Sequence, residues 1–116
     1  SKERRKEMQD LMIQVNTLRE KLNQAIVELQ KRGINKAHAE NNYRVALAEK
    51  ILHERDKGVP VTIISDICRG DKRIAKLKME RDIAEVLFDT SQQVIYTTRQ
   101  EINTVMKFIE AERKGE

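Results

Sequence analysis

Few residues in this chain are typed and spaced for chemistry. His38 and His53 stand fifteen positions apart, and only Glu49, one helical turn before His53, shares their neighbourhood. A metal site needs three or four converging ligands, so the pair reads as two solvated histidines. Cys68 has Asp66 and Arg69 beside it but no histidine within local reach to act as its base, so it reads as a small residue packing a turn. No glycine-rich phosphate loop and no paired catalytic motif occurs. The expectation is a protein without enzymatic activity, cofactor or metal. What remains is a basic set, Arg69, Lys72, Arg73 and Lys76, suited to touching an anionic or acidic partner.

The elements that would carry these residues are helices. Met8, Leu11, Val15, Leu18, Leu22, Ala25 and Leu29 alternate in steps of three and four, the a/d repeat by which one helix buries a narrow stripe against another. The chain has two Phe, two Tyr and no Trp, so its apolar supply is Ile, Leu, Val, Met and Ala spaced for stripes. One Pro and four Gly leave little punctuation for a sheet. A chain of 116 residues is one domain's worth, here a single helical domain.

A first long helix is predicted over residues 3–57. Gly33 could kink or break it, although no Pro and no capping box follows, so continuity is preferred. Gly58-Val59-Pro60 stops it. Residues 58–70 form a turn holding a short helix, with Thr62 near its cap and Ile63, Ile64 and Ile67 turned inward. Gly70 suits a left-handed C-cap and Asp71 the N-cap of the next helix. A second long helix follows over 71–113. Ile74, Leu77, Ala84, Leu87, Phe88, Ser91, Ile95, Thr98, Ile102, Val105 and Ile109 lie along one drifting face, which Val94, Met106 and Phe108 widen. Lys76 with Glu80 and Lys78 with Asp82 occupy the outer face at i,i+4 spacing.

The fold class is therefore all-α: a long antiparallel, coiled-coil-like helical hairpin with a short helical turn segment, assembling into a helical bundle. A two-helix layer buries one side of each helix, so the seam from Met8 to Leu29, with Met12, Ile13, Ile26 and Val27 beside it, calls for further cover. A second copy of the chain is the simplest supply, making a homo-oligomer with a dimer as the default.

The string Asn42-Tyr43-Arg44-Val45-Ala46-Leu47-Ala48, Ile51-Leu52, Gly58-Val59-Pro60-Val61-Thr62-Ile63-Ile64, Arg69-Gly70, Ala75-Lys76-Leu77-Lys78 and Glu80 to Phe88 resembles small all-helical proteins of phages and prophages of Gram-positive bacteria. The likeness covers roughly residues 43–103 and leaves the N-terminal heptads outside. It implies a viral or prophage origin and an all-α fold; the group's members are mostly without assigned activity, so it transfers no functional residues.

Two functional classes follow. The first is an interaction or adaptor protein that docks a helical surface onto an unidentified phage or host protein. The second is a nucleic-acid binder using residues 51–81 as a helix-turn-helix, in which Ile51-Leu52, Gly58, Val61, Ile64 and Ile67 set the spacing and Lys72, Arg73, Lys76, Lys78 and Arg81 approach the duplex. Against the second, Ile74 and Leu77 look buried, and Asp71, Glu80 and Asp82 interrupt the basic face. A net charge of +4 is spread through interspersed acids, as on solvated long helices. A single cysteine excludes an intrachain disulfide and fits a reducing compartment. The opening Ser-Lys-Glu-Arg-Arg-Lys-Glu has no apolar run behind it, and no stretch approaches the ~20 apolar residues of a membrane span. The expected location is the cytoplasm of a bacterial host, with no membrane partner.

Overall fold

The computed structural model describes residues 1–115. Among them are three helices and no strand: α1 (Lys2–Asp56), α2 (Val61–Gly70) and α3 (Lys72–Lys114). The fold is an all-α helical hairpin, and its internal contacts fall into two compact units, Ser1–Gln30 with Thr90–Glu116, and Lys31–Asp89.

The helix ends follow from local chemistry. Ser1 caps the first turn of α1, its hydroxyl accepting the Arg4 N–H at 3.2 Å. At the other end Gly58 takes φ +79°, the only left-handed residue among those described. Its N–H donates to the Arg55 carbonyl at 2.9 Å and the Val59 N–H donates to the Glu54 carbonyl at 3.1 Å. These paired bonds satisfy carbonyls that the last turn would otherwise leave open. Pro60 then opens α2, its carbonyl accepting the Ile63 N–H at 3.1 Å. Thr62 is thus already inside the helix and does not cap it.

Asp71 alone separates α2 from α3. Its backbone is extended (φ −73°, ψ 125°), and its carboxylate accepts the Ile74 N–H at 2.9 Å as the N-cap of α3. The reversal therefore comes from an extended aspartate. Gly70 keeps a negative φ inside α2 and is not the left-handed cap that its residue type suggested. Within α2, Ile64 and Cys68 are buried at i,i+4, and Ile67 is half-buried. Ile63 is turned outward, 45% exposed, because it lies off the stripe those two define.

In the unit Ser1–Gln30 with Thr90–Glu116, α1 and α3 run antiparallel: Arg4 bonds the Gly115 carbonyl at 2.9 Å, and Lys21 reaches Glu101 at 3.9 Å. Its core is Val15, Leu18, Val105 and Ile109, with Met8, Leu11 and Ile102 packed against them. Within the chain, the Met8, Leu11, Val15 and Leu18 part of the seam packs against Ile102, Val105 and Ile109 of α3, while Leu22 and Leu29 stay half-buried. Ile95, Thr98, Ile102, Val105 and Ile109 also step by three and four, so one a/d stripe meets another. Thr98 is fully buried, and its hydroxyl is satisfied by donating to the Val94 carbonyl at 2.7 Å. Val94, Met106 and Phe108 do not widen this stripe; they are exposed on other faces of α3, Phe108 to 58%.

In the unit Lys31–Asp89, Ala46 and Glu54 of α1, Ile64 and Cys68 of α2, and Ile74 of α3 are buried. Helix α1 passes through Gly33 without a break. A Cβ on that glycine would lie 3.4 Å from the Phe88 ring, whose other neighbour is the Lys36 ammonium, 4.7 Å from its centre.

Candidate interaction groove at the helical turn

An open groove of about 990 Å³ lies wholly within the unit Lys31–Asp89. Helix α1 contributes Tyr43, Leu47, Ile51 and Arg55, one residue per turn. Helix α2 contributes Val61, Ile64, Ser65, Cys68 and Arg69, a single i, i+3, i+4 face. Helix α3 contributes residues from Ile74 to Leu87, among them Met79, Ile83 and Val86. Leu87 belongs to this open wall, 38% exposed, and not to the buried stripe on which its spacing had set it.

The lining is mostly apolar and much of it is uncovered. Val61, Met79, Ile83 and Val86 are 69, 55, 50 and 63% exposed. Clustered exposure of this kind marks surfaces that bind other molecules, whereas single exposed apolar residues carry no such meaning. The periodicity of α3 held the signal for these residues: Met79, Ile83 and Val86 recur at i, i+4 and i+7, a second apolar stripe beside the buried one.

Charges at this end are sorted by an internal network. The Lys50 ammonium lies 2.9 Å from the buried Glu54 carboxylate and 3.5 Å from Asp71. Lys57 approaches Glu54 at 3.7 Å. The Lys50 hydrogen bond holds the Glu54 carboxyl below its ordinary value, against the opposing effect of burial. The Ile74 N–H, helped by Lys50, does the same for Asp71. Lys50 is raised in turn, chiefly by its hydrogen bond to Glu54. Asp71 is therefore drawn inward and does not interrupt the basic face.

The basic set is left outside. Arg69, Lys72, Arg73 and Lys76 are all exposed. Arg69 lines the groove and meets Asp66 at 3.8 Å, while Lys72, Arg73 and Lys76 lie on the first turns of α3 outside its lining. Asp82, expected to pair with Lys78, is held by Arg81 at 2.9 Å. Arg81 also stands 4.6 Å from the Tyr43 ring centre and 3.7 Å from Glu40, tying α3 to α1 beside the groove.

The residues read for chemistry are not assembled. His38 and His53 are both exposed on α1, and Cys68 is buried against the groove. Among the described residues no group of three or more His, Cys, Asp or Glu is placed to hold a metal, and no helix is long and apolar enough to cross a membrane. Of the seam, Val15, Leu18 and Ala25 are buried and Met8, Leu11, Leu22 and Leu29 half-buried. Comparison of the chain with protein-family models, curated proteins and solved structures finds no match.

Proposed function

We propose that this chain is a non-enzymatic helical adaptor of phage or prophage origin that seats a partner protein in the groove of its Lys31–Asp89 unit, within the cytoplasm of a bacterial host. The carrying observation is the row Val61, Met79, Ile83 and Val86, exposed together along one open groove of a chain that is 36% charged. Leaving that much apolar surface in water is unfavourable by roughly 25 cal/mol per Å², and a partner's apolar face removes the cost. The phage assignment is supported by the resemblance over residues 43–103.

A photo-crosslinking side chain at position 83, in cells carrying the phage or prophage, tests the reading. A discrete protein adduct is expected that Val86→Glu removes, with none from the same probe at exposed position 107. No adduct, or equal adducts from both positions, would refute it.

Self-association, in this reading, uses outward residues and not the seam. Ile13 and Phe108 are 63 and 58% exposed in the other unit. Replacing both by Glu should lower the mass seen by light scattering to that of one chain. A wild-type protein already at that mass would end the homo-oligomer proposal.

A second reading is favoured by the inward turn of Asp71, which leaves Arg69 at the end of α2 and Lys72, Arg73 and Lys76 at the start of α3 exposed. Such a patch suits phosphate contacts. If it binds duplex DNA specifically, affinity should be about a thousandfold above non-specific binding and fall with Arg73→Ala and Lys76→Ala. Weak binding lost at physiological salt would exclude it.

A further inference from the structure

The groove walls have the length and repeat of a helix seat. Tyr43 to Arg55 on α1 and Ile74 to Leu87 on α3 each extend about 18–20 Å at 1.5 Å per residue, matching a helix of about thirteen residues. The outward stripe Met79, Ile83, Val86 offers apolar contact at the spacing with which a helix presents its own face. The rim carries a consistent charge. Each helix contributes one cation, Arg55, Arg69 and Lys78, of which Arg69 already meets Asp66 at 3.8 Å, and the single lining carboxylate, Asp82, is held by Arg81 at 2.9 Å.

From this charge arrangement we infer that the occupant is an acidic amphipathic helix of another protein. Its apolar residues lie on Ile83 and Val86, and its Glu or Asp flanks face Arg55, Arg69 and Lys78. The inference rests on the groove being a docking surface, as proposed above. Charge complementarity selects this occupant over its rivals. A second copy of the chain is itself net +4 and meets the basic rim with like charge. Nucleic acid would satisfy the rim but leave the apolar walls facing phosphates.

The test uses the full chain and a fluorescein-labelled helical peptide of about sixteen residues, with Leu at i, i+3, i+7 and i+10 and Glu on both flanks. The comparator replaces every Glu by Lys. The acidic peptide should bind at least about tenfold more tightly, with the advantage shrinking as salt is raised. Ile83→Glu should weaken binding about tenfold or more, and Arg55→Glu with Lys78→Glu should reverse the preference. All three positions are exposed, so circular dichroism should report unchanged helicity. Equal or reversed preference in the wild-type protein, no binding of either peptide, or binding indifferent to Ile83→Glu would overturn the inference. So would a dimer that Ile83→Glu dissolves, which assigns the groove to a second copy, or displacement of the acidic peptide by duplex DNA. Crosslinking from position 83 to a protein whose contacting helix is neutral or basic would overturn this inference alone and leave the docking reading standing.

Discussion

The Lys50 ammonium sits 2.9 Å from the buried carboxylate of Glu54, one turn along the same helix. Asp71 shares the same ammonium at 3.5 Å, so Lys50 also links α1 to the start of α3. Both carboxyls are held below their ordinary values of 4.5 and 3.8. Their stabilisation is therefore complete above those values and is lost as pH falls through the lower values of the folded state. Lys50 is held above 10.5, so its contribution is complete below 10.5 and is lost as pH rises through its folded value. Melting temperature measured against pH should fall in both windows, and Lys50→Met should flatten both limbs. Identical slopes in wild type and variant would contradict this.

The cap at Asp71 should be worth more than the surface ion pairs. Its carboxylate satisfies a backbone N–H at the first turn of α3, at the one residue separating that helix from α2. Asp71→Ala is expected to cost about 1–2 kcal/mol, and Asp71→Asn or Asp71→Ser to recover most of it. Urea unfolding of the three variants decides the point.

Substitutions in the seam should unfold before they dissociate. Leu18 belongs to the cluster with Val15, Val105 and Ile109. Leu18→Glu places a charge in that cluster and should lower helicity as well as any oligomer mass. Ile109→Ala should cost about 2–4 kcal/mol. Retained wild-type melting with a lower mass would show that the seam serves an interface between chains.

Gly33 is a helix interior glycine whose added Cβ would make ordinary contact with Phe88 at 3.4 Å. Gly33→Ala should therefore gain close to the full helix-propensity difference, about 1 kcal/mol, seen as a rise of about 3–6 °C in melting temperature. Gly58→Ala should move the other way by about 1 kcal/mol, since φ +79° strains any side chain even though the space is open.

The hairpin was legible because its signals are local. An a/d repeat reports which face of α1 is buried, and Gly58 before Pro60 reports where the helix must end. The face of α3 from Ser91 to Ile109 was legible too, because Thr98 and Ser91, while they interrupt its apolar lettering, keep its spacing. Both are buried all the same, Thr98 because its hydroxyl finds a carbonyl on its own helix. The groove was not legible in the same way. Met79, Ile83 and Val86 stand among Lys78, Glu80, Asp82 and Glu85, so the segment reads as a solvated surface, and only the placement of α2 makes it one wall of a concavity. The left-handed cap that suits Gly70 by residue type is found at Gly58, and at Gly70 the extended Asp71 makes the turn instead.

The two units differ in how the chain must close to form them. Lys31–Asp89 is one unbroken run, whereas the other joins Ser1–Gln30 to Thr90–Glu116 across everything between. The cluster of Val15 and Leu18 with Val105 and Ile109 can form only after that intervening chain has been gathered, and loop closure of that size carries an entropy cost that the local turn around Gly58 avoids. The run that bears the groove is thus the natural nucleus, and the heptad seam is the part that zips afterwards. Pulsed hydrogen exchange during refolding should protect amides near Ile64 and Ile74 before those near Val15 and Val105. The reverse order would place the nucleus in the coiled coil. If the groove end leads, its surface is assembled while the long helices are still pairing, and a partner helix present at that moment would act on folding as well as on the finished protein.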